Sequence, residues 1–410
     1  MKAPFFISLI ALLTSNLTAQ TWNKNAIELL YDKIIHEYGT NEIKTIYTTQ
    51  KKFPYTHWIE NTNDHNSIII SLRTVIHEMQ HGMDDFNENA GEKGAYQYYL
   101  NDSCVVEVPQ TLFFTSDQLN NYIPASVSDS IFRYGIYVGK KDEIGGYKKK
   151  FNINSGNSIS YSIHHGIFGL MEEFLAYYRG LQVLAQIYPY FLNYLNTHNF
   201  SEEEKKSQLG DYKYYVYQEV NSFYEFQLFI AWYLQYAKKE KTEIYRQLYE
   251  NKPLRYLFGY IHQSYLNLIE GFVIQLDTIS MYHSDYNFLY YIKLDDTEED
   301  FCKFLYYSDF AGDEYKKILI EGNENHLGEK SFRFIGDREE RRFFKKYYNQ
   351  VKKEVFRKFK DLASARFMIY LADQQAQLQF LKRQTTHEVI QEISNFKSLN
   401  HHERFCKTNQ

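Results

Sequence analysis

Ser67-Ile68-Ile69-Ile70-Ser71-Leu72-Arg73-Thr74-Val75-Ile76-His77-Glu78-Met79-Gln80-His81-Gly82 is the stretch on which the reading of this chain turns. On a helix, His77 and His81 stand one above the other, so both imidazoles reach a single tetrahedral metal ion such as zinc. Glu78, between them, leans toward the coordination position they leave open. The apolar run Ile68 to Ile76 is what a buried helix needs, because a helix carrying reactive groups must be held rigid from its other side. The helix is expected over Asn66 to Met83, with Gly82 marking its end or a bend.

Upstream, Met1-Lys2, the apolar stretch Pro4 to Leu13 and the small-residue site Leu17-Thr18-Ala19 read as an export signal over residues 1–19. That stretch is too short to span a bilayer, and no later run reaches the ~20 apolar residues a spanning helix needs. The expectation is a secreted or periplasmic protein with no integral membrane segment once the signal is removed. A net charge of −5 offers no basic face for phosphate neutralisation and excludes a nucleic-acid partner of that kind. The cationic concentration at Arg338 to Lys346 carries Glu339 and Glu340 with it and reads as a solvated helix face. Of the 39 Tyr and 31 Phe, spread along the whole chain, most are expected to pack helices together with their polar tips wet. Cys104, Cys302 and Cys406 have no metal-ligand spacing; one disulfide is expected at most, and spacing does not say which two thiols meet.

In chain order, Trp22 to Tyr38 has helical periodicity, whereas Lys44 to Thr49 and Thr56 to Glu60 are β-branched and aromatic runs expected as strands. After a polar loop from Asp84 to Gly94, short strand-like runs follow at Val105 to Val108, Thr111 to Thr115, Phe132 to Val138, Lys148 to Ile153 and Ser158 to Ile163. Gly166 to about Ile187 reads as the next helix. Beyond Ser201, a capping-box start, Tyr212 to Ala237 and Glu243 to Ile279 carry long helical patterns interrupted by Pro253. Tyr286 to Leu294 reads as a strand, Thr297 to Tyr307 and Asp313 to Glu321 as short helices, and the stretch from Gly336 past Lys360 as a long one. The fold class is therefore α+β. A catalytic domain over residues 20–195, with a β-rich insert between two metal-ligand helices, precedes a helical subdomain over 196–385 and a frayed polar tail over 386–410.

Leu170-Met171-Glu172-Glu173-Phe174-Leu175-Ala176 sets two carboxylates in an apolar helix, which is costly unless they are paired or hold a cation. Glu173 is the choice for a third ligand, since Ala176 one turn later allows close helix approach; Glu172, Asp84, Asp85, Glu88 and Glu92 are the other carboxylates weighed. Position 87 is Asn, so a histidine six residues after His81 is missing. With His77, Glu78, His81 and then Glu173 and Ala176, the chain resembles the gluzincin family of zinc metallopeptidases over roughly residues 66–185. The separation of His81 from Glu173 is far longer than in the compact members. The resemblance implies a zincin-like domain, one Zn2+ held by His77, His81 and Glu173, Glu78 as general base, and a peptide or protein substrate. Tyr161, His164 and His165 are candidates for an oxyanion donor. The alternatives are a zinc amidase acting on a non-protein amide such as a cell-wall peptide, and a non-catalytic binding protein.

Overall fold

The computed structural model describes residues 22–52, 55–59, 61–62, 64–84, 94–123, 164–273, 385–397 and 405–407. The segment read as an export signal, the strand-like runs between Phe132 and Ile163, and the elements read between Tyr286 and Lys360 lie outside them. The described residues are mostly helical, with one small antiparallel sheet. Among them, no helix is long and apolar enough to cross a membrane.

Helix α1 (Lys24–Tyr38) begins where the Asn23 side chain accepts from the Ala26 amide at 2.9 Å and ends at Gly39. Helix α2 (Asn41–Gln50) replaces the strand expected over Lys44 to Thr49. Its buried residues Ile43, Ile46, Tyr47 and Gln50 recur at helical spacing, and that period outweighs the β-branched composition. The second expected strand, Thr56 to Glu60, is a single 3-10 turn over Tyr55–Trp58.

Helix α3 (His65–Met83) starts at Asp64, whose carboxylate takes the Ser67 amide at 2.8 Å. Gly82 lies inside its last turn instead of ending it. A Cβ there would sit 2.5 Å from Gln50 Oε1, and Gln50 Nε2 donates to the Gly82 carbonyl at 2.7 Å, so the glycine lets α2 close on α3.

Strands β1 (Ala95–Asn101) and β2 (Cys104–Pro109) form an antiparallel hairpin with Tyr98 opposite Val106 and Asn101 opposite Cys104. The expected strand at Val105 to Val108 is present; Thr111 to Thr115 pairs with no strand among the described residues.

Helix α4 (Ile167–Thr197) runs ten residues past its expected end, through Pro189. The proline removes one backbone donor, but Phe191 stacks on Tyr212 at 4.4 Å and Leu195 is buried, so packing holds the turns beyond it. Helix α5 (Glu202–Glu240) opens on a complete capping box between Ser201 and Glu204. Helix α6 (Thr242–Glu250) gives way to α7 (Lys252–Leu268), in whose first turn Pro253 sits, capped by Asn251.

Within the 386–410 stretch read as a polar tail, the described residues are ordered into elements. Residues His387–Lys397 form helix α8, burying Val389, Ile393 and Phe396, and Cys406–Lys407 add strand β3 to the outer edge of β2. Cys104 and Cys406 are joined in a disulfide. Arg255 of α7 donates to the carbonyls of Asn395 and Phe396, closing the C-terminal end of α8. Among the described residues a hydrophobic cluster runs from Ile27 to Phe396, and within it α3 and α4 share the most extensive helix–helix interface.

Candidate metal centre

Helix α3 brings His77 and His81 to one face, their Nε2 atoms 3.3 Å apart. Helix α4, lying against it, adds Glu173, whose Oε2 is 3.6 Å from His77 Nε2 and 3.7 Å from His81 Nε2. Three donors from two helices thus form a nearly equilateral triangle. A tetrahedral ion with bonds of about 2.0–2.1 Å requires donor–donor edges of about 3.3 Å. The triangle meets that requirement to within a few tenths of an ångström, and two imidazoles with one carboxylate are a donor set suited to a divalent transition metal.

The neighbouring carboxylate has a different position. Glu172 Oε1 lies 2.9 Å from His81 Nδ1, the ring nitrogen facing away from the triangle. Such a partner fixes the imidazole tautomer and orientation, presenting Nε2 as a lone pair. His77 is held differently: its ring meets the Tyr177 ring edge-on at 4.5 Å and the His81 ring at 5.0 Å. Burial works against a charged His81, but Glu172, Glu173 and Glu78 outweigh it and raise its pKa to about 10. That excess of carboxylate around the histidines is the field a cation would neutralise. Glu78 is raised by its own burial; His81 and His57 oppose the shift.

Among the other carboxylates weighed as ligands, Asp84 is turned away: its Oδ1 takes the Tyr99 amide at 2.7 Å and Gln80 Nε2 at 2.9 Å. Asp85, Glu88 and Glu92 lie outside the described residues. Of the oxyanion-donor candidates, Tyr161 also lies outside them and His164 is exposed. His165 Nδ1 is 2.9 Å from Tyr96 Oη, and Tyr96 in turn stacks on Phe168.

Sequence reasoning missed His57, on the 3-10 turn before α3, and Arg179, two turns beyond Glu172 on α4. Nothing in the local sequence of His57 signals a site. Arg179 carries a usable signal, a lone cation inside the apolar run Leu170 to Leu184. No protein-family model, curated protein or solved structure matches this chain.

Proposed function

We propose that this chain is an exported, zinc-dependent metallopeptidase with a zincin-like catalytic unit of gluzincin type. The observation that carries the reading is the triangle of His77 Nε2, His81 Nε2 and Glu173 Oε2, with Glu78 on the same helix between the two histidines. A bound zinc would supply Lewis acidity and a water of lowered pKa. His77, His81 and Glu173 would hold the ion, and Glu172 would keep the His81 ring turned toward it. The Glu78 carboxylate accepts the proton of the attacking water as the new C–O bond forms, then delivers it to the amide nitrogen as the C–N bond breaks. Export is supported by the Cys104–Cys406 bridge, since structural disulfides persist in oxidising compartments.

Zinc content and turnover of a mixed peptide library test the reading together. The wild type is expected to hold one zinc and cleave peptides. His77→Ala and Glu173→Ala lose the metal, while Glu78→Gln keeps it and loses turnover by about 10²–10⁴-fold. A zinc-loaded wild type that cleaves cell-wall peptides but no ordinary peptide bond would move the assignment to an amidase. Wild-type turnover by Glu78→Gln would remove Glu78 as the general base, and a zinc-loaded wild type that cleaves no amide at all would end the hydrolytic reading.

A further inference from the structure

Arg179 is fully buried, and its guanidinium is spent on neutral acceptors from three elements. Nε donates to Gln80 Oε1 of α3 at 3.1 Å, Nη1 to Gln182 Oε1 of α4 at 2.6 Å, and Nη2 to the Leu100 carbonyl of β1. Gln80 passes the connection on, donating to Asp84 Oδ1 at 2.9 Å and to the Tyr99 carbonyl at 3.2 Å. Gln182 carries it the other way, to Glu42 of α2 at 2.8 Å. Removing an arginine from water is unfavourable, and a well-packed apolar side chain would serve core stability as well or better. A buried guanidinium with every arm directed therefore selects geometry over stability.

That geometry is the one the donor triangle needs. His81 and Gln80 are adjacent on α3; Glu172 and Arg179 stand two turns apart on one face of α4. The triangle spans both helices, and sliding one by a single residue, about 1.5 Å, would open edges that a zinc ion tolerates only to a few tenths of an ångström. The Arg179–Gln80 bond fixes the register of α4 against α3, and the bonds to Tyr99 and Leu100 tie both helices to β1. We infer that Arg179 and Gln80 are positioning residues for the metal centre, a buried brace that holds Glu172 in hydrogen-bond reach of His81 and Glu173 at the donor–donor spacing of the triangle. This rests on the metal-binding part of the function proposed above.

The test uses the full chain, with zinc affinity measured by chelator competition and the visible spectrum of the cobalt(II)-substituted protein as a report on ligand geometry. Arg179→Met is expected to keep the wild-type far-ultraviolet circular dichroism, bind zinc about 10–100-fold more weakly and shift the cobalt bands. Gln80→Met removes one of the three guanidinium contacts together with the bonds to Asp84 and Tyr99, and should move both readouts the same way; it decides the matter should Arg179→Met not fold. The double variant is expected to bind zinc no more weakly than Arg179→Met alone, because the two side chains act as one unit. Wild-type affinity and spectrum in a folded Arg179→Met or in Gln80→Met would overturn the inference, as would losses that simply add. Failure of the wild type to bind zinc at all would instead remove the metal reading beneath it.

Discussion

Breaking the Cys104–Cys406 bridge measures how firmly the end of the chain is built into the fold. The bridge joins positions 302 residues apart and ties β3 to β2, directly beside the hairpin that receives Arg179. Loop-closure entropy for a loop of that length gives a ceiling of about 6 kcal/mol at 25 °C, and native bridges typically contribute about 2–4 kcal/mol. With an unfolding entropy of about 2.1 cal/mol/K per residue, a chain of this size has a slope of about 0.9 kcal/mol/K at its midpoint. Replacing both cysteines, Cys104→Ala with Cys406→Ala, should therefore lower the Tm by about 2–5 °C, and by no more than about 7 °C. Helix α8 keeps its own anchors, since Tyr249 Oη donates to buried Glu392 at 2.5 Å and Phe396 is wholly buried. The double variant should accordingly retain its circular dichroism. Differential scanning calorimetry of oxidised, reduced and double-alanine protein checks this. A midpoint unchanged within 1 °C on the order of measurement error, or a variant that no longer folds, would refute an account in which the bridge acts by restricting the unfolded chain.

Three further outcomes follow from the same contacts. Glu172→Gln keeps an oxygen near His81 Nδ1 but removes its charge, so zinc affinity should fall about 10–100-fold in chelator competition, with the three donors themselves intact. Gly166 has φ +53°, and a Cβ there would run into the Phe114 carbonyl and lie 2.7 Å from Tyr233 Oη; Gly166→Ala should cost about 2–4 kcal/mol, read from urea unfolding. His65, stacked on Tyr194 at 4.2 Å, and His262, 3.2 Å from Lys397 Nζ, both have pKa values lowered to about 4, chiefly by burial and then by His198 and Lys397 respectively. Their folded-state pKa lies below the unfolded one, so the unfolded chain binds more protons between about pH 6.5 and 4. Stability is full above that window and falls through it as pH drops, by at most about 3 kcal/mol per histidine. Urea midpoints at pH 7.5 and 4.5 should differ less in His65→Phe than in wild type.

The α3 helix and its two histidines were legible because a 3.6-residue period and a four-residue ligand spacing are local properties; the Asp64 cap, one residue before the helix, emerged from the structure alone. The same holds for α1, the α5 capping box and the β2 strand. Over Lys44 to Thr49 two local signals conflicted, and burial of Ile43, Ile46 and Tyr47 in a shared core resolved them toward helix. Strand β1, Ala95–Asn101, escaped notice because its tyrosines resemble those everywhere else in the chain; only Tyr98 Oη, donating to the Phe168 carbonyl at 3.0 Å, shows why that strand needs them. Helix α8 looked like a polar tail since its apolar residues have value only against α5 and α7.

By itself, then, the sequence determined which side chains are able to bind a metal and which helix presents two of them, since both depend on residue type and helical pitch. Small Ala176 one turn later already favoured Glu173 over Glu172, but the separate place of Glu172 behind His81 was beyond the sequence: adjacent residues on a helix point about 100° apart, and which one faces the triangle depends on how α4 is rotated against α3. That rotation, the choice of Cys406 as partner for Cys104, and the brace at Arg179 were decided by tertiary packing. Each joins groups distant in the chain, and only the folded core brings them within bonding reach.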